Sequence, residues 1–189
     1  MILPIVAYGS PVLKKKAEDI TPDYPELKQL IANMFETMYY AHGVGLAAPQ
    51  IGLSIRMFIV DSGPMDEDDE DAFTPIKKVF INPTIIEESG KKWFFNEGCL
   101  SIPDIREDVE RQEKIVIEYY DENFEKHTET YDGIPARIIQ HEYDHIEGVL
   151  FTDYLAPLRK KMIQKRLDKI SRGQIRVDYR MKFPKKAKR

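Results

Sequence analysis

The stretch Pro135-Ala136-Arg137-Ile138-Ile139-Gln140-His141-Glu142-Tyr143-Asp144-His145-Ile146-Glu147 decides how the rest of the chain is read. Pro135 suits a first helical turn, where a missing N–H costs nothing, and Gly148 follows the last residue, so 135–147 is expected to be a helix. A helix turns about 100° per residue, so side chains four apart point the same way to within roughly 40°. His141 and His145 can therefore grip one ion. Glu142, one position on, flanks that site and can reach water held there. The other two histidines, His42 and His127, lack such spacing and read as ordinary surface or loop residues.

Two histidines are one ligand short, because a hydrolytic metal centre usually has three protein ligands and leaves a fourth position for water. The lone cysteine, Cys99, lies in Glu97-Gly98-Cys99-Leu100-Ser101. On spacing alone it is equally a third ligand or a small buried hydrophobe, the usual state of a free cysteine. A further segment, Gly43-Val44-Gly45-Leu46-Ala47-Ala48-Pro49-Gln50, has two readings as well. It is a plain helix-ending loop, or its small residues let another chain or ligand approach the backbone, with Gln50 offering an amide donor.

Outward from these segments, Leu27, Leu30, Ile31, Met34, Phe35 and Met38 recur at three- and four-residue steps and predict an amphipathic helix over 27–38. Leu158, Met162, Ile163, Leu167 and Ile170 predict another over 157–170. Residues 55–60 and 79–81 read as buried strands, the second stopping at Asn82-Pro83, and 114–120 with 124–131 read as a hairpin. Hairpin strands and helices in separate blocks give an α+β fold. At 189 residues, the expectation is one catalytic domain over 1–172 and a basic tail over 173–189.

The three motif segments resemble the signature motifs of the peptide deformylases, enzymes that remove the formyl group from new bacterial polypeptides. The pattern G-x-G-L-A-A-x-Q is met by residues 43–50, E-G-C-L-S by 97–101 and Q-H-E-x-D-H by 140–145. The similarity runs from Val12-Leu13 through Leu155-Ala156-Pro157-Leu158, nearly the whole chain. It implies antiparallel sheets packed around the helix that carries the two histidines. It makes Cys99 a ligand beside His141 and His145, with Glu142 as general acid–base. Gln50 and the backbone N–H of Leu100 would form the oxyanion hole. The peptide would pair along Val44, Gly45 and Gly98, while Phe95, Ile134 and Ile138 line a methionine pocket and Arg106 reaches further along the peptide. Ferrous iron is the implied metal, with nickel or cobalt as substitutes; the ligand set alone suits zinc.

H-E-x-x-H also occurs in zinc endopeptidases, but those take a third histidine or a carboxylate where this chain offers Cys99. A non-catalytic metal-binding ribosome adaptor is a second alternative, against which the intact Glu142 and Gln50 stand. One cysteine allows no intramolecular disulfide and suits a reducing interior, and no stretch is long and apolar enough to span a bilayer, so the expected place is the cytoplasm. The formal net charge of −4 argues against sequence-specific nucleic-acid binding and a membrane partner is not expected. The acidic run 66–71 reads as a solvated loop. Arg176, Arg180, Lys182, Lys185, Lys186, Lys188 and Arg189 make the tail either a frayed end or a contact with an anionic partner such as the ribosome. That tail is expected to be held away from the active site by the helix before it.

Overall fold

The computed structural model describes residues 1–66 and 73–184. The acidic run beyond Asp66 and the last five residues, Lys185, Lys186, Lys188 and Arg189 among them, lie outside the described residues. In chain order the elements are β1 (Ile5–Val6), α1 (Leu27–Tyr40), β2 (Gly45–Ala47), β3 (Met57–Asp61) and the short α2 (Gly63–Asp66). There follow β4 (Lys77–Cys99), β5 (Ile102–Tyr120), β6 (Lys126–Asp132), α3 (Gly133–Ile146), α4 (Pro157–Ser171) and β7 (Met181–Lys182). Strands β2-β3-β4-β5-β6 form one antiparallel sheet in that order, and β1 pairs with β7 in a small parallel one. The α+β class read from the sequence is the one observed.

The run Met57-Phe58-Ile59-Val60 shows why the layers sit as they do. Successive strand side chains point to opposite faces, so a strand covered on both sides needs an unbroken apolar run. Met57 and Ile59 pack with Leu27, Ile31, Met34 and Met38 of α1. Phe58 and Val60 pack on the other face with Ile134, Ala136, Ile138 and Ile139 of α3. Thus β3 lies between the two helices, and α3 is buried over most of its circumference. A third apolar cluster joins β1 to Ile102, Ile105 and Val109 of β5 and to Ile163, Leu167 and Ile170 of α4.

Two expectations differ from the structure. The strand beginning near Val79 does not stop at Asn82-Pro83. It continues to Cys99 through a register shift between Ile81 and Thr84, where a residue without an N–H breaks no ladder bond. Asn82 takes a positive φ of 47° there, and its side chain bonds both the N–H and the carbonyl of Ile20 at 2.9 and 2.7 Å.

The second difference concerns the basic tail. Residues 174–184 fold back onto the body instead of standing away from it. Ile5 N–H donates to the Arg180 carbonyl at 2.8 Å and Ala7 N–H to the Lys182 carbonyl at 2.9 Å. Ile175 and Met181 pack against the third cluster and Tyr179 against the first. The physical reason is a period-two alternation: Ile175, Val177, Tyr179 and Met181 turn inward while Arg176, Asp178, Arg180 and Lys182 stay exposed.

Candidate metal centre

Helix α3 places His141 and His145 one turn apart, with ring centroids 5.2 Å from each other. The end of β4 brings Cys99 to them, and its Sγ lies 3.3 Å from His145 Nε2. Ligand atoms from Cys99, His141 and His145 all lie within 4.8 Å of one another. A tetrahedral ion with bonds of about 2.0–2.3 Å would hold such atoms roughly 3.3–3.6 Å apart, so the donor set fits with small adjustment. Burial, then the neighbouring His141, pushes the His145 imidazole well below the ordinary histidine range, which leaves it neutral with a lone pair to give. Burial opposes a charge on His141 too, but Cys99 and Glu97 outweigh it, so the surroundings favour a cation between these groups.

Glu97, beside Gly98 on β4, fixes His141. The ring's Nδ1–H donates to Glu97 Oε1 at 2.8 Å, leaving the other nitrogen for an ion. Glu97 is 4% exposed and also accepts from Arg111 Nε and Nη2 at 2.8 and 3.0 Å and from Arg137 Nη1 at 2.9 Å. Burial raises its pKa, but His141 and Arg111 more than reverse this and hold the carboxyl well below the usual range. Arg111 in turn bonds Asp144 at 2.7 Å. None of Glu97, Arg111, Arg137 or Asp144 was given a role of its own from the sequence. One signal was present: Arg111 falls in the same strand phase as Ile105 and Val109, a charge on the inward face.

Glu142 is treated differently. It is 4% exposed, burial pushes its carboxyl up to about 7, and its Oε2 has no partner among the described residues. Space for it comes from Gly45, where a Cβ would lie 2.8 Å from Glu142 Cδ and Cγ. A Cβ on Gly43 would lie 2.8 Å from Leu100 Cδ1. The two glycines therefore serve close packing around the centre, and residues 43–50 are more than a loop ending α1. Gln50, 1% exposed, accepts the Ala47 N–H at its Oε1 at 2.9 Å. Its Nε2 is thereby aimed at Cys99 Sγ and Ser101 Oγ, each 3.4 Å away.

One cavity of about 850 Å³ opens beside the centre, bordered by Val44, Gly45, Gln50, Phe95, Gly98, Cys99, Leu100, Arg106, Ile138, His141 and Glu142. His145 lies behind these and is 1% exposed. Ile134 does not border the cavity; it packs in the core of the second cluster. Arg106 donates from Nε to Asn96 Oδ1 at 3.0 Å, and a Cβ on Gly98 would meet its Nη1 at 2.6 Å. The folded-back residues Arg176, Val177, Asp178 and Tyr179 also border it, which the sequence reading missed. A second group of potential ligands, Asp121, Glu125 and His127, stands at the β5–β6 turn. There Asp121 accepts the N–H groups of Asn123 and Glu125 and pairs with His127 at 2.7 Å, bonds that account for it as turn structure.

A family model described as polypeptide deformylase matches residues 2–161. A peptide deformylase of Christiangramia forsetii is 62% identical, with 97% of each chain covered. Another, from Flavobacterium psychrophilum, is 59% identical over 98% of this chain and all of its own. Among solved structures, a peptide deformylase from Legionella pneumophila superposes with a TM-score of 0.79 at 38% identity, covering 94% of this chain and 99% of that one. The motif residues thus stand in a fold and a sequence that agree throughout, and the chain belongs to the polypeptide deformylase family, metal-dependent hydrolases that remove the formyl group from polypeptide N-termini.

Proposed function

We propose that Cys99, His141 and His145 hold one divalent ion and that Glu142 moves the protons during removal of the formyl group. One observation carries this reading: three ligand atoms within 4.8 Å of one another, beside a buried carboxylate oxygen with no partner among the described residues. When bound, such an ion supplies Lewis acidity, making water a nucleophile near neutral pH and polarising the formyl oxygen. Glu142 takes a proton from the attacking water at Oε2 and passes it to the departing amine. Its carboxyl, pushed up to about 7, suits both transfers.

Negative charge that develops on the formyl oxygen is held by Gln50 Nε2 and the Leu100 N–H. The peptide lies as an added strand along Val44, Gly45 and Gly98, because β2 is the edge strand of the sheet. Phe95, Ile138 and His141 line the methionine pocket, Ile134 supports it from behind, and Arg106 contacts the peptide further on. Ferrous iron is the ion the family resemblance favours, with zinc, nickel or cobalt able to take the same ligands.

The test is formate release from formyl-Met-Ala-Ser by anaerobically purified protein, with metal content measured in parallel. Formate production should scale with bound metal and vanish in Cys99→Ala, which should also bind metal weakly. Cleavage of an unformylated protein without formate release would indicate an endopeptidase. Bound metal with neither activity would leave an adaptor.

The substrate is a nascent N-formylmethionyl polypeptide, and the place of action is the cytoplasm. No helix among the described residues is long and apolar enough to cross a membrane. The exposed Arg180 and Lys182, with the basic residues after them, would meet ribosomal RNA phosphate. Arg180→Glu with Lys182→Glu should then weaken ribosome co-sedimentation at low salt and flatten its salt dependence. Unchanged co-sedimentation would remove the ribosome from the partners of this segment.

A further inference from the structure

Residues 176–179 border the cavity yet belong to none of the three motifs. Within them Tyr179, half-buried, donates its hydroxyl to the Leu100 carbonyl at 2.8 Å. The next carbonyl, that of Ser101, accepts the Tyr8 N–H at 2.9 Å. Tyr8 stands two residues beyond β1, and β1 pairs with β7, which begins two residues after Tyr179. Both ends of the chain therefore close on the same two peptide units.

Those units need outside support. Leu100 and Ser101 form the turn between β4 and β5; the ladder closes on it only through the Cys99–Ile102 pair, past a register shift between Gly98 and Cys99, and the turn residues themselves lie outside the ladder. The Leu100 side chain is set against Gly43, its carbonyl is taken by Tyr179, and Ser101 Oγ lies 3.4 Å from Gln50 Nε2. None of these contacts engages the Leu100 N–H.

We propose that Tyr179 is a positioning residue for deformylation: its hydroxyl fixes the Leu100–Ser101 peptide unit, which restrains the Leu100 Cα and through it the adjoining Cys99–Leu100 unit, so that the Leu100 N–H is pre-aimed at the charge developing on the formyl oxygen. This rests on the reading of Leu100 as an oxyanion donor. Donors held in place before reaction need no reorganisation during it, and small misplacements of a reacting geometry are costly. The hydroxyl acts on turnover and not on ground-state binding, since the charge it serves exists only in the transition state.

Tyr179→Phe keeps the ring and removes only the hydroxyl. On formyl-Met-Ala-Ser it should lower kcat about 10-fold, a fraction of the roughly 10²–10³-fold that loss of a whole oxyanion donor costs. KM, metal content and the thermal midpoint should stay nearly unchanged, and Gln174→Ala in the same segment should behave as wild type. Formate added to zinc-loaded, ¹⁵N-labelled wild type should shift the Leu100 amide resonance, and the shift should shrink in Tyr179→Phe. If the wild-type Leu100 amide does not respond, the oxyanion reading fails and takes this proposal with it. A wild-type shift that persists in full in Tyr179→Phe, with kcat unchanged, overturns the role of Tyr179 alone. So does a kcat loss matched by falls in metal content and thermal midpoint, which would make the tyrosine merely structural.

Discussion

Glu97 at the end of β4 and Glu142 in the middle of α3 are each 4% exposed, and they flank the same histidine, yet their surroundings are opposite. Around Glu97 the fold gathers Arg111, Arg137 and the His141 ring, so a full negative charge is stabilised and immobile. Around Glu142 it supplies a glycine's empty space and, among the described residues, no hydrogen bond to Oε2. A buried carboxylate with charged donors is a fixed anchor, because removing a partner leaves an uncompensated charge. One without them has its pKa moved toward neutrality and becomes able to exchange a proton. Under the proposed mechanism the two carboxylates divide the labour, one orienting His141 and the other carrying the proton.

The sharpest way to break this contrast is Glu142→Gln. Turnover should fall by about 10²–10⁴-fold or more, while metal content and the thermal midpoint hold, since no partner is lost. Near-normal kcat in metal-loaded protein would end the proton-carrier role. Glu97→Gln should do the reverse and act first on stability, lowering it by about 3 kcal/mol as Arg111 and Arg137 lose their shared anion. Arg111 keeps Asp144 at 2.7 Å, which limits the loss. Metal affinity should drop about 10–100-fold as His141 loses its orienting partner. Denaturant unfolding and metal competition titrations read the two effects separately.

Truncation after Gly173 extends the comparison to residues 176–179 at the cavity. A tail held away from the active site would be dispensable for a short formyl peptide; the structure predicts a kcat loss of about 10-fold or more, because Tyr179 leaves with the segment. A modest fall in thermal midpoint should accompany it, as Ile175 and Met181 no longer cover the third cluster. Full activity in the truncated chain would return these residues to the status of a tail.

The smallest expected effect concerns a carboxylate far from the centre. Glu129 accepts from Lys78 at 2.8 Å and from the hydroxyls of Tyr119 and Tyr131. Burial raises its pKa, but Lys78 and the two tyrosines bring it down to about 2. Its stabilisation is therefore present above the ordinary value of 4.5 and is lost as the pH falls through about 2. Glu129→Gln should be less stable than wild type at pH 7, with the gap closing over that acidic window, and should leave kcat unchanged. A gap constant down to pH 2 would mean that Glu129 acts by packing and not by charge.

Sequence periodicity was enough where an element answers to one rule. The apolar spacing from Leu27 to Met38 predicted α1 within two residues of its observed end, and His141 and His145 had to share a face once α3 was a helix. It failed where two signals competed. Asn82-Pro83 reads locally as a stop, but bonds to Ile20, distant in sequence, turn it into a bulge inside a long strand. The stretch after Gly173 carries both a basic charge excess, which reads as a tail, and an alternation of inward and exposed residues, which the fold follows.

The sequence by itself determined the ligand spacing on α3, the two-sided burial of β3 and the class of chemistry, because each follows from neighbours along one element. Spacing alone left Cys99 equally a buried hydrophobe and the family resemblance made it a ligand; the tertiary structure shows its Sγ beside the two histidines. Only the tertiary structure decided the pairing of Glu97 with its two arginines, the empty space that Gly45 leaves to Glu142, and the place of Tyr179 at the Leu100 carbonyl. Those contacts join residues 14 to 97 positions apart, and no local period encodes a partner at such a distance.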